Sequence, residues 1–206
     1  MMLLKWLRYT ALLLACLSCG AVQAKSCFPT PAEARKDLSV RVGAAQLRHK
    51  QAALQGKRLA VVVNQSSRVG PCHLLDALAE LGLQVGVIFS PEHGFRGDAD
   101  AGAAVADSRD GKTGTPVYSL YGSHKAPAAA QLADVDLILF DLQDVGTRFY
   151  TYLSTLHYVM QAAADAKLPL WLLDRPNPNG RWLDARCCSA NSALLLACIR
   201  SRCYMA

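Results

Sequence analysis

From about residue 59 to residue 173, short uninterrupted apolar runs alternate with stretches whose apolar residues recur every three or four positions. A run of four to eight apolar residues is the pattern of a strand buried on both faces, whereas the three-to-four spacing marks one face of a helix. Strands are therefore expected at 59–63, 83–89, 116–120, 135–140 and 168–173, and helices at 74–81, 127–132 and 152–166. Pro127 suits the first turn of its helix, where no amide donor is missed. Strands alternating with helices predict the α/β class, an open and mostly parallel sheet with helices on both faces.

Polar residues stand where the apolar runs end. Asn64, Ser90 with Glu92, Asp141 and Asp174 each follow a predicted strand. In open α/β sheets the carboxyl ends of the strands carry the ligand crevice, so these four exits are expected to converge. No G-x-G-x-x-G follows the first strand and no G-x-x-x-x-G-K-[ST] occurs. The usual phosphate cradles of dinucleotide and P-loop proteins are thus missing.

Composition adds boundaries. A chain of 206 residues, 52% hydrophobic, suits one ordinary core. Residues 1–24 read as an export signal: Lys5 and Arg8 precede an apolar run at 11–17, and Val22-Gln23-Ala24 offers small residues for cleavage. That run is shorter than the roughly 20 residues a spanning helix needs, so no transmembrane segment is expected once the signal is removed. A lipoprotein signal with lipid on Cys16 is the alternative, and the expected location is periplasmic or secreted. The domain is placed at 25–184. The net charge of +6 owes much to Lys5, Arg8, Arg186, Arg200 and Arg202 near the ends. With no basic stripe carrying interleaved aromatics, no nucleic-acid partner is inferred. Of eight cysteines, two lie in the signal and four in the last twenty residues, which leaves Cys27 and Cys72 in the body. In an oxidising compartment they form a bridge or stay as two buried thiols, and the sequence leaves both open.

Three segments carry chemistry. SPEHGFRGDADAG, at 90–102, places a carboxylate, an imidazole, a guanidinium and further carboxylates in one loop at the sheet edge. Glu92, just past a buried strand, suits a protonated general acid held between apolar walls. His93 shares that work, orients the glutamate, or merely packs. Arg96 suits a substrate carboxylate, which its planar fork grips with two bonds. DLQDVGTRFYTY, at 141–152, offers Asp141, Asp144, Arg148, Tyr150 and Tyr152, against a structural reading of Asp144 as a helix cap and the tyrosines as packing. DRPNPNG, at 174–180, is a loop stiffened by two prolines that presents Asp174, Arg175 and Asn177, or a plain turn.

These strings, in this order and spacing, resemble the exo-β-N-acetylmuramidase family, glycoside hydrolases of peptidoglycan recycling once catalogued as a domain of unknown function. The resemblance covers about 43–180. It implies a Rossmann-like catalytic domain, a smaller α+β carboxyl-terminal domain missing from this chain, and a glycosidase site in the cleft between the two. It implies Glu92 of the PEHG motif as the leading catalytic residue, and Asn64, His93, Arg96, Asp98, Asp144, Arg148, Asp174 and Arg175 match further motif positions. The catalytic set read here is Glu92, His93 and Asp144. The substrate-binding set is Asn64, Arg96, Asp98, Asp141, Arg148, Tyr150, Asp174, Arg175 and Asn177. No metal or cofactor is expected, and the expected ligands are peptidoglycan-derived muramyl saccharides. A glycosidase needs two carboxyl groups, and Asp98, Asp144 and Asp174 are the partners available to Glu92. Relatives often carry glutamate where this chain has Gln161, a departure that breaks the pair if that carboxylate is the partner.

After residue 184 the pattern is lost. Residues 185–206 read as an aberrant tail, expected from a frameshift near residue 185, because an alternative frame can spell a string like that following the DRPNP loop in relatives. The expected activity is release of terminal N-acetylmuramic acid, in a truncated form that can be inactive. The competing readings are a peptidoglycan-binding or sugar-binding fragment without turnover, and a metal-dependent hydrolase using His93, Asp98, Asp100, Asp141 and Asp144. Against the second stands the absence of H-E-x-x-H or a comparable ligand spacing.

Overall fold

The computed structural model describes residues 26–30, 40–91, 107–147 and 150–180. The expected signal, the 185–206 tail, and Glu92, His93, Arg96, Asp98 and Arg148 lie outside these residues. In chain order there follow a 3-10 turn at Gly43–Gln46, helix α1 at Leu47–Leu54, and strand β1 at Arg58–Val63. A small hairpin of β2 at Arg68–Val69 and β3 at Cys72–His73 leads into α2 at Leu74–Glu80. Then come β4 at Gln84–Ser90, β5 at Ser108–Arg109, β6 at Pro116–Ser119, α3 at Ala129–Leu132, β7 at Leu137–Asp141, α4 at Tyr152–Asp165 and β8 at Leu170–Leu172.

The main sheet has the order β5-β6-β4-β1-β7-β8. All its pairs are parallel except β5 with β6 at one edge. Because β1 lies at the centre, its successors are laid down first to one side and then to the other. The order therefore reverses between β1 and β7, and such a switch point opens a crevice at the carboxyl ends of the strands.

Alternation along β1 divides the core in two. Leu59, Val61 and Val63 face one layer with Leu47, Leu54, Leu74 and Leu78 from α1 and α2. Ala60 and Val62 face the other with Leu132 of α3 and Val159 and Ala163 of α4. Ile88, Ile138 and Leu139 have no exposed surface. Complete burial of such a side chain contributes about 1.5–3 kcal/mol, which is why these continuous apolar runs form the middle of the sheet.

Each expected strand and helix of the body is present, with no end moved by more than two residues. The last strand begins at Leu170 because Pro169 has no amide to give the ladder. The elements that the pattern missed are short or weakly periodic. In α1 only Leu47 and Leu54 are buried, one at each end, so no apolar stripe betrays it. β2, β3 and β5 have two residues each, too few for alternation to be visible.

Residues 26–30 are clipped to α2. Cys27 and Cys72 form a disulfide with their Cα atoms 5.3 Å apart. Glu80 accepts from Ser26 Oγ at 2.7 Å and from the Cys27 amide at 2.8 Å. The hydrogen bond from Ser26, then that from the Cys27 amide and the nearby Arg48, hold the Glu80 carboxyl below the usual glutamate range, against a smaller opposing effect of burial. Arg48 also lies over the ring of Phe28, 5.0 Å from its centre.

Candidate active site at the carboxyl edge of the sheet

At the end of β1 the backbone turns sharply, and Asn64 organises the turn. Its side-chain oxygen accepts from the Ser66 amide at 2.9 Å and the Ser66 hydroxyl at 2.6 Å. Its Nδ2 donates to the Tyr152 hydroxyl at 2.9 Å, which ties the β1 exit to the first residue of α4. The Asn64 carbonyl accepts from His73 Nε2 at 2.9 Å. Since His73 Nδ1 accepts from the Leu75 amide at 3.3 Å, the proton sits on Nε2 and the ring caps α2 while bracing the turn. Asn64 is completely buried.

The β7 exit is built around Asp141, also completely buried. Arg175 grips it with two bonds, Nε to Oδ1 at 2.6 Å and Nη2 to Oδ2 at 2.8 Å. Arg175 Nη2 also donates to the Arg68 carbonyl at 3.0 Å, which brings the β2–β3 hairpin into the same cluster. Ser67 Oγ donates to the Asp141 carbonyl. Burial pushes the Asp141 carboxyl above the usual carboxylate range, and the hydrogen bond and positive charge of Arg175 pull it back down. A charged pair so enclosed is held by its geometry, because neither partner has water to fall back on.

The loops after β7 and β8 lie against each other. Gln143 Nε2 donates to the Asp144 carbonyl at 2.7 Å and to the Pro176 carbonyl at 3.0 Å. Asn179 Nδ2 donates to the Val145 carbonyl at 2.8 Å. Asp144 Oδ2 accepts from the Gly146 amide at 3.0 Å, a tight local turn. From below, the Gly43 amide donates to the Asp174 carbonyl at 2.7 Å. A Cβ on Gly43 would stand 2.7–2.8 Å from backbone atoms of Leu173 and Asp174, so only glycine fits this approach.

The residues expected at the site thus fall into three groups. Asn64, Asp141 and Arg175, expected to face a ligand, have their side chains turned into the protein. Asp144 and Asn177 are half-buried, and Tyr150 and Asp174 are exposed, so these four remain at the rim. Tyr150, 41% exposed, packs edge-on against the buried Tyr152 with ring centres 5.1 Å apart. Glu92, His93, Arg96, Asp98 and Arg148 are outside the described residues. Ser90, at the end of β4, is completely buried and its hydroxyl has no hydrogen-bond partner among the described residues.

Gln161 is exposed on α4 and donates to Asp165 at 3.0 Å. It lies nine residues beyond Tyr152, about 14 Å along the helix axis. A carboxylate at this position would therefore stand well away from the turn that Tyr152 joins. Sequence reading passed over Ser67, His73, Gln143 and Asn179, since isolated polar residues carry no periodicity; Gln143 and Asn179 were at least inside the two motif strings.

Among the described residues no group of three or more His, Cys, Asp or Glu is arranged to hold a metal ion. Both oxygens of Asp141 are taken by Arg175. A groove of about 470 Å³ lies at the opposite end of β4, lined by Leu83, Gln84, Val85 and Gly86 with Thr113 and Thr115. It holds no carboxylate or imidazole, so its size does not make it the catalytic candidate.

A family model described as exo-β-N-acetylmuramidase NamZ, N-terminal, matches residues 59–194. The peptidoglycan β-N-acetylmuramidase NamZ of Bacillus subtilis (strain 168) is 47% identical over 129 residues, which span 62% of this chain and 31% of that protein. Two crystal structures of DUF1343 family proteins from Bacteroides fragilis NCTC 9343 have the same fold. One, 37% identical with a TM-score of 0.65, covers 77% of this chain and 41% of its own. The other, 35% identical with a TM-score of 0.60, covers 67% and 35%. The chain therefore spans about a third of the length of the curated relative it matches.

Proposed function

The chain belongs to the exo-β-N-acetylmuramidase NamZ family, whose amino-terminal part it matches, and from that premise we propose that its crevice takes terminal N-acetylmuramic acid of peptidoglycan fragments for glycosidic cleavage. The observation that carries this reading is the set of rim groups at the switch point. Asp144, Tyr150, Asp174 and Asn177 keep open surface on the loops that leave β7 and β8, beside the buried Asp141–Arg175 pair. A carbohydrate needs hydrogen-bonding groups for its hydroxyls and an aromatic face for its ring, and this rim offers both. Glu92 follows the end of β4 by two residues and is assigned as general acid, with His93 beside it in sequence. Arg96 and Arg148 are assigned to the lactyl carboxylate, and Asp98 to substrate binding. Of the aspartates that follow β7 and β8, Asp144 and Asp174 keep open surface and serve as partners of Glu92, whereas Asp141 is occupied. The Cys27–Cys72 disulfide supports an exported protein working in an oxidising compartment such as the periplasm.

The test is Glu92→Gln in the full chain, assayed for release of N-acetylmuramic acid from a chromogenic muramide. Turnover should disappear while the thermal melt is unchanged; a variant that still turns over removes Glu92 from the catalytic role.

A further inference from the structure

We propose that the loops after β7 and β8 act as one rigid jaw of the crevice, and that Gln143 and Asn179 are the positioning residues that clasp it. The proposal rests on the reading of this edge as a saccharide site, and it names residues given no role above. Each loop alone is a poor platform, since 142–147 and 173–180 contain no helix or strand of their own. Gln143, on the first loop, reaches the Pro176 carbonyl of the second at 3.0 Å. Asn179, on the second, reaches back to the Val145 carbonyl of the first at 2.8 Å. The two bonds run in opposite directions and are anchored at different points, 143 and 145 on the first loop and 176 and 179 on the second, so together they oppose hinging as well as sliding. The Asp141–Arg175 pair closes the base of the same unit.

The ligand-facing groups are divided between the loops, with Asp144 on one and Asp174 and Asn177 on the other. A clasp that keeps them in register therefore governs how a bound sugar is held, and a displacement of about 1 Å at such a site costs as much as 100-fold in rate. Both clasp groups act as amide donors toward carbonyl oxygens. Gln143→Glu and Asn179→Asp keep the shape of the side chain and remove the donor, setting an oxygen against an oxygen.

The experiment follows amide hydrogen exchange in the full wild-type chain and in the two variants, with kinetics on a chromogenic muramide alongside. Gln143→Glu should speed exchange in peptides covering 173–180, and Asn179→Asp in peptides covering 142–147, with β1 and β4 unchanged. Where the wild type turns over, each variant should lose about 10- to 100-fold in kcat/KM at a temperature at which both remain folded. Faster exchange confined to the substituted loop would overturn the clasp, as would wild-type kcat/KM in both variants. A wild-type chain with no turnover and no muramyl binding would count against the saccharide reading alone, and exchange would still decide the clasp. Global loss of protection is avoided as an outcome by the conservative pair Gln143→Met and Asn179→Leu, which should reproduce the same cross-loop effect if the donors matter.

Discussion

Asp141 and Arg175 show how a residue's surroundings decide its role. Both stand in motif strings at strand exits, where the sequence alone predicts ligand binding. In the fold they satisfy each other, with the Asp141 side chain fully buried and that of Arg175 7% exposed. Removing one partner leaves the other charge buried without compensation. Asp141→Ala is expected to cost about 3–5 kcal/mol of stability, read from urea denaturation, and adding Arg175→Met to it should recover part of the loss. A single variant within 1 kcal/mol of wild type would mean that the pair is not the enclosed contact described here. The identity of the two residues was legible in the sequence; their mutual contact was not, because they are 34 positions apart with a whole crossover helix between them.

At the scale of elements, the strands of the body announce themselves because burial on both faces demands unbroken apolar runs. The opening turn and α1 do not, yet the turn reaches the site. Gly43 sits against the backbone that leaves β8, and this turn precedes residue 59, where the family match begins. Gly43→Ala forces a methyl group into backbone that has nowhere to move. A loss of about 1–3 kcal/mol in stability is expected, with faster exchange at 173–180. An alanine variant as stable as wild type would show that the approach is looser than 2.7 Å implies. The β2–β3 hairpin is similarly inconspicuous in sequence and central in space, since it supplies the Arg68 carbonyl to Arg175 and places His73 under Asn64.

On the scale of the whole molecule, the disulfide joins the first described residues to the hairpin beneath the crevice. It spans 45 residues, a separation for which a disulfide contributes about 2–4 kcal/mol by restricting the unfolded chain. Reduction, or Cys27→Ser with Cys72→Ser, should lower the denaturation free energy by that amount, and thiol counting before and after reductant would report the bond directly. An oxidised protein no more stable than the reduced one would remove the bridge from the architecture. The pattern along the chain is enough for the α/β class, the five longer strands and the positions at which polar residues leave them, because period and run length are local properties of a chain, whereas the order of the strands in the sheet is set by pairing. Only the tertiary structure decided which of those polar residues face outward. Asp141 and Arg175 close on each other and Asn64 on Ser66 and Tyr152, while Asp144, Tyr150, Asp174 and Asn177 keep open surface, because hydrogen bonding and burial depend on neighbours brought together from distant parts of the chain.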